Sequence, residues 1–181
     1  MSKIHPGRLA GELDGDFVVF VLGLRIHTLW KVHKWLPIPF AMNRMLEELE
    51  ADPDSGFLGY QSQFGIRDHL YIQYWDSFEA LRAYAWDPEC EHYPAIGAFH
   101  RDIGPSDDVG IWHETYLVDD QQYEAVYLNM QPHGLGAAGD LEPAVDRRKS
   151  AAGRLGKTAG DDVPMDDDGT VTSPDEYDDT L

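Results

Sequence analysis

The pattern of hydrophobic and polar positions along the chain predicts eight elements of secondary structure. Phe17–Ile26 is β-branched, aromatic and apolar on both faces, which predicts a buried strand. After the prolines at 37 and 39, apolar residues recur at helical spacing and predict a helix that ends near Asp52. The other predicted elements are strands over Phe57–Gly65, His69–Trp75, Asp108–Val118 and Tyr123–Met130, a helix starting around Asp76–Glu79, and a short helix from about Tyr93.

The order of these elements predicts an α+β fold. A strand, a helix, two strands, a helix and a returning strand form the βαββαβ pattern of a ferredoxin-like antiparallel sheet with helices on one face. The strands are apolar on both sides, so the face without helices also needs a cover. We therefore expect a homodimer closed sheet against sheet.

Beyond this domain the composition changes. Residues 134–139 are small and flexible, and a stretch with several bases follows them. Residues 161–181 hold nine acidic side chains and no Lys or Arg. Such a composition buries too little apolar surface to offset chain entropy. We expect residues 141–181 to be a disordered acidic tail, with disorder from about residue 145.

The net charge limits the partners of the chain. Its formal value is −19, from 33 acidic and 14 basic residues. A surface of this sign repels nucleic acids and anionic membranes, and it is typical of a protein from a high-salt cytoplasm, although an acidic mesophilic protein is an alternative. Cys90 is the single cysteine, and Phe17–Leu24, the longest apolar run, is too short to span a bilayer. These features predict a soluble cytoplasmic protein that is halophilic.

The strand over Val109–Val118 carries the densest candidate chemistry. Side chains alternate between the two faces of a strand, so His113 lies on one face and Trp112, Glu114 and Tyr116 lie on the other. An imidazole exchanges protons near neutral pH, which makes His113 our candidate for a general base. The alternative is a buried structural histidine. Because polar groups lie on both faces, we expect the sheet to line a pocket.

Several segments resemble one known family. They are Gly15–Phe20, Trp30–Trp35, Gln73–Glu79, the Trp-His-Glu-Thr-Tyr string at 112–116, and Tyr127–Met130. The chain is identified by them as a member of the monooxygenase-like family named after a fungal fumagillin-pathway enzyme, formerly a domain of unknown function. The resemblance covers about residues 7–140. It implies a dimeric α/β-barrel fold, whose superfamily includes cofactor-free monooxygenases, haem-degrading enzymes, haem-dependent aldoxime dehydratases and non-catalytic proteins.

Three functions are compatible with these observations. The first is a cofactor-independent monooxygenase for a small aromatic or polyketide-like compound, with no metal, in which His113 is the base and Arg25 or Asn129 holds an oxyanion. Arg25 would otherwise form a structural ion pair. The second is a haem protein with His92, His100 or His113 as the iron ligand. The third is a non-catalytic dimer that binds a small hydrophobic ligand. The expected pocket residues are Trp112, Tyr116, Glu114 and Trp75.

Overall fold

The structure is a computed structural model that describes residues 3–104 and 106–162. The chain divides into two compact units, one over Phe17–Leu117 and the other formed by Met1–Asp16 and Val118–Leu181. The strands are β1 (His5–Glu12), β2 (Phe17–Ile26), β3 (Phe57–Phe64), β4 (Asp68–Trp75), β5 (Val109–Val118), β6 (Val126–Met130) and β7 (Asp140–Pro143). The helices are α1 (Val32–Trp35), α2 (Pro37–Ala51), α3 (Phe78–Trp86), α4 (His92–Asp102), α5 (Leu135–Ala138) and α6 (Ala151–Arg154).

The unit over Phe17–Leu117 contains the predicted ferredoxin-like arrangement. Its four-stranded sheet has the order β3-β4-β2-β5, and β4 pairs antiparallel with both β2 and β3. The predicted α+β class and the βαββαβ order are therefore confirmed. Ser77 caps the start of α3, since its hydroxyl accepts a hydrogen bond from the backbone N–H of Ala80 at 3.2 Å.

Helices cover one face of this sheet because β2 directs alternate apolar side chains toward them. Val18 packs with Leu49 and Leu81, whereas Leu24 and Ile26 pack with Ile103 and Val109 at the other end of the strand. A third cluster, formed by Met42, Met45, Leu46 and Tyr71, lies between α2 and β4. Burial of apolar side chains of this size stabilises each by about 1.5–3 kcal/mol relative to exposure. Within the described residues, no helix has the length and apolar character needed to cross a membrane.

The second unit contains a strand that the sequence pattern did not reveal. β1 pairs antiparallel with β6 on one side and with β7 on the other, which gives a three-stranded sheet of order β6-β1-β7. The partners of β1 lie more than a hundred residues away along the chain, so local periodicity carries no sign of the pairing.

Order continues past residue 145, contrary to the sequence-based expectation. Asp146–Lys149 forms a 3₁₀ turn and α6 follows it. Arg148 donates two hydrogen bonds to the Glu12 carboxylate, at 2.7 and 2.8 Å, and Ser150 is 2% exposed. The expectation of disorder is therefore wrong for residues 146–154, because these long-range polar bonds offset the chain entropy that composition alone emphasises. Most of the acidic run at 161–181 lies outside the described residues.

Candidate functional site

A cavity of about 960 Å³ lies on the helix-covered face of the four-stranded sheet. We call it the helix-face cavity. Strand residues Leu22, Leu24, Tyr71 and Ile111 line one side of it, and α2 and α4 line the other. A concave and largely apolar pocket of this volume is the usual form of a small-molecule site. The helical lining includes Met42, Met45, Pro94, Ile96, Ala98 and Phe99.

The ionisable groups around the helix-face cavity come from the helical side. The Lys34 ammonium donates to the backbone carbonyl of Asp102 at 2.7 Å, which connects α1 with α4. The Arg44 guanidinium donates to the Glu91 carboxylate at 3.1 Å, which connects α2 with the start of α4. Both interactions are exposed to solvent, so each contributes little to stability. His33 and His92 are the imidazoles in the lining.

His92 is the first residue of α4, and its ring is fixed by one hydrogen bond. Its Nδ1 lies 2.9 Å from the backbone carbonyl oxygen of Ala85. A carbonyl oxygen can only accept, so Nδ1 carries the proton and, in the neutral ring, Nε2 holds the lone pair. No residue that the structure describes is bonded to Nε2. The arrangement therefore presents a proton acceptor, or a metal-ligating nitrogen, in the lining of an apolar cavity.

Tyr71 adds a second unpaired polar group to this region. The residue is 3% exposed, and its hydroxyl has no hydrogen-bond partner among the residues described. Burial raises the pKa of Tyr71 to about 12, so the hydroxyl keeps its proton at every physiological pH. Nδ1 of His69, two residues earlier on β4, is likewise buried without a partner in the described part of the chain. Buried polar groups normally have hydrogen-bond partners, so Tyr71 and His69 mark a region of β4 whose hydrogen-bonding capacity is not fully used.

His113 does not line the helix-face cavity. It lies on the same face of β5 as Ile111, as strand alternation predicted, and its ring centroid is 5.5 Å from that of Phe20. The side chain is exposed. His113 therefore lies on the face that bears the helix-face cavity but outside the cavity lining, and its role as a base stays a prediction.

The other residues predicted for the pocket lie on the opposite face of the sheet or in the core. Trp112 packs over Gly23, where an added Cβ atom would come within 2.1 Å of the indole, and the Tyr116 hydroxyl donates to Glu114. That bond raises the pKa of Tyr116. Trp75 is fully buried in the hydrophobic core, and its indole N–H donates to Gln73 at 3.1 Å.

The predicted oxyanion holders have structural partners. Arg25 donates to Asp68 at 2.5 Å, directly across the β2–β4 pair, so the structural ion pair considered for Arg25 is what forms. Asn129 belongs to the other compact unit, where its side-chain oxygen accepts from the backbone N–H of Gly7 at 2.9 Å. His100 is exposed, and its ring lies 5.8 Å from that of Phe99.

Comparison with known proteins gives the class of this chain. Residues 17–135 match the family described as monooxygenase af470-like, so the chain belongs to that family, as the sequence resemblance indicated. Among solved structures, it is similar to an aldoxime dehydratase, OxdRE, crystallised with butyraldoxime. The TM-score is 0.60 at 14% identity, over 74% of this chain and 40% of that one. This likeness concerns the fold alone.

A second similar structure is that of SnoaB from Streptomyces nogalater, described as a cofactor-independent oxygenase. The TM-score is 0.41 at 16% identity, over 56% of this chain and 91% of the other. No curated protein matches the chain.

Proposed function

We propose that the chain is a cofactor-independent monooxygenase that binds a small aromatic or polyketide-like compound in the helix-face cavity. Membership of the monooxygenase-like family supports the reaction class. The observation that carries the proposal is the placement of His92 in the lining of an apolar cavity, with Nδ1 held by Ala85 and Nε2 unengaged by any described residue.

The reaction requires two things from the protein, a general base and a pocket that excludes water. His92 Nε2 takes a proton from an acidic phenol or enol, and the resulting anion is electron-rich enough to react with oxygen. One oxygen atom enters the substrate as a carbonyl oxygen, as when a phenol becomes a quinone, and the other leaves as water. The substrate gives two hydrogen atoms to that water and supplies all four electrons that reduce the oxygen molecule. The apolar sheet residues exclude water from the anion and orient its ring. No external reductant is required in this scheme.

We also propose that two copies associate through the face of the sheet that carries Trp112 and Tyr116. These side chains are 44% and 51% exposed. Light scattering in molar salt tests this point, since the net charge of −19 calls for screening. A dimeric mass is the expected result, and a monomeric mass contradicts it.

Oxygen uptake in the presence of phenols and naphthols tests the proposed reaction, with two histidine variants compared. We expect His92→Asn to lower turnover by about 10²–10⁴-fold, because the base is lost. His113→Asn should stay within a few-fold of the wild type. The opposite order would transfer the base to His113 and contradict the proposal. Ligand binding without oxygen uptake in any assay would favour a non-catalytic binding protein.

Haem binding is a second candidate because the same observation fits it. An imidazole whose Nδ1–H donates to a carbonyl offers Nε2 to iron, and the fit applies to His92 rather than to His100 or His113. Titration with haemin separates the candidates. A Soret band that saturates at one equivalent and disappears in His92→Asn would establish haem binding, whereas a weak unsaturable spectrum would exclude this site.

A further inference from the structure

Glu48 on α2 occupies a junction between three helices. The residue is half-buried, and its Oε2 accepts two hydrogen bonds. One comes from the Tyr84 hydroxyl at 2.7 Å, and the other comes from the backbone N–H of Glu91 at 3.0 Å. Tyr84 belongs to α3, and Glu91 is the residue that precedes α4. A single carboxylate oxygen therefore ties α2 to the end of one helix and to the beginning of the next.

The two groups held by Glu48 adjoin the two ends of the His92 hydrogen bond. Tyr84 immediately precedes Ala85, whose carbonyl accepts from His92 Nδ1. Glu91 immediately precedes His92 itself. The 2.9 Å Nδ1 bond thus joins Ala85 and His92, and Glu48 holds a group of the residue before each: the Tyr84 side-chain hydroxyl and the Glu91 backbone N–H. The favourable position of a carboxylate at a helix N-terminus adds to this restraint.

Tyr84 also restrains the imidazole through its ring. The centroid of Tyr84 lies 6.2 Å from that of His92 and 5.9 Å from that of the buried Trp75. Burial, followed by the hydrogen bond to Glu48, raises the pKa of Tyr84, so its hydroxyl remains a donor. The contacts with Trp75 and His92 hold the Tyr84 ring in place, and the hydrogen bond to Glu48 fixes its hydroxyl.

We propose that Glu48 is the positioning residue of the site, and that it keeps His92 in the Nδ1–H form with Nε2 free for the cavity. The functional meaning rests on the proposed function, whereas the positioning of the imidazole does not. The general reason is that a histidine ligand or base owes its tautomer to the partner of its other nitrogen. Here that partner is a backbone carbonyl, which can be misplaced only if the helices around it move.

The tautomer of His92 can be measured without a substrate. Ring ¹⁵N shifts of histidine-labelled full-length protein distinguish the Nδ1–H and Nε2–H forms, and the signal of His92 is assigned by its loss in His92→Asn. In the wild type at alkaline pH, we expect His92 in the Nδ1–H form. In Glu48→Ala, more than half of that population should be lost. Retention of the full Nδ1–H population in a folded Glu48→Ala variant would overturn the proposal.

Three further variants separate positioning from general packing. Glu48→Gln keeps one carbonyl oxygen that accepts both bonds, so it should restore the wild-type spectrum. Tyr84→Phe keeps the ring contacts but loses the hydroxyl bonds to Glu48 and to the Met45 carbonyl, so it should give a partial shift even if Glu48→Ala fails to fold. Glu47→Ala changes an exposed acidic residue on the same helix and should change nothing. Failure of Glu48→Gln to rescue would also contradict the proposal.

Measurement of turnover then distinguishes a failure of this inference from a failure of the proposed function. If His92 is the base, Glu48→Ala should lower oxygen uptake by about 10- to 100-fold, because misplacement of a reacting group by about 1 Å has an effect of this size. A shifted tautomer with unchanged turnover would retain Glu48 as a positioning residue and reject His92 as the base. An unshifted tautomer with reduced turnover would reject the positioning role alone.

Discussion

Buried polar atoms without a described partner distinguish the helix-covered face of the four-stranded sheet from the face with Trp112. On the face with Trp112, the Glu114 carboxylate accepts from Tyr116, and Arg25 is paired with Asp68. On the helix-covered face, the Tyr71 hydroxyl is buried without a described partner. The cavity there also presents a histidine with one engaged nitrogen. Paired groups maintain a surface, whereas unpaired groups beside a cavity are available to a ligand.

The largest effect on ligand affinity should come from filling the helix-face cavity. Ala98 lines it from α4, so Ala98→Trp places an indole in the space for the ligand. We expect ligand affinity to fall by at least about tenfold, since volume is lost where apolar contact supplies the binding energy. Isothermal titration with a naphthol measures this change.

The matched control for this variant is His100→Trp, which adds the same ring at an exposed position of α4. Its affinity should equal that of the wild type. Equal loss in both variants, or no loss in either, would mean that the ligand does not occupy the helix-face cavity.

A second prediction concerns stability on the opposite face. Gly23→Ala adds a methyl group that meets the Trp112 ring, so the free energy of unfolding should fall by about 1–3 kcal/mol. Replacing Trp112 with Leu in the same chain should remove much of this loss, because the obstacle is then gone. Urea unfolding of the two single variants and the double variant measures the coupling. Ligand affinity should stay near that of the wild type, and a large loss of affinity would make this face part of the site.

A smaller effect is expected from two carboxylates that pair with cations near the end of β2. Asp108 accepts from Lys31 at 2.9 Å and its side chain is 9% exposed, whereas the Asp68 side chain is 63% exposed. Asp108→Asn should lower the urea midpoint at pH 7, and Asp68→Asn should leave it unchanged, because exposed ion pairs contribute little. Equal changes in both variants would contradict this contrast.

The ion pair between Lys31 and Asp108 also makes the stability of the fold depend on pH. The hydrogen bond from Lys31, followed by that from Thr28, lowers the pKa of Asp108. Because the folded pKa lies below the unfolded one, the stabilisation is present above the ordinary value of about 4 and is lost as the pH falls through the folded pKa. Wild type and Asp108→Asn should therefore approach each other in urea midpoint as the pH falls below about 4. Parallel curves would show that Asp108 does not contribute through its charge.

Strand alternation predicts most of the fold and part of the site. The apolar run at 17–26 and the alternation at 109–118 predict β2 and β5, and they place Ile111 and Trp112 on opposite faces. Which face is functional depends on where the helices pack, and the strand pattern is silent on that. The prediction of Trp112 and Tyr116 as pocket residues therefore depends on their aromatic side chains and not on the strand pattern.

The parts that sequence reasoning missed depend on contacts between distant residues. Arg25 meets Asp68 across 43 positions, and Glu12 meets Arg148 across 136. The sequence shows His92 as a histidine near a helix start, but its tautomer follows from a carbonyl seven residues earlier. Glu48 has the pattern of an ordinary polar residue on an amphipathic helix. Only the packing of α2, α3 and α4 shows that it bonds to Tyr84 and Glu91, the residues that precede the two ends of the His92 hydrogen bond.

The most direct test of the helix-face cavity as the ligand site is an NMR titration of the protein with a phenolic ligand. The ¹³C-methyl signals of labelled methionines and the ¹⁵N signals of the tryptophan indoles are recorded on the same samples. Met42 and Met45 line the helix-face cavity, whereas Trp112 lies on the opposite face of the sheet. We predict that a phenolic ligand shifts the methyl signals of Met42 and Met45 and leaves the Trp112 indole unchanged. A saturable shift at Trp112 with unmoved methionine signals would contradict this assignment.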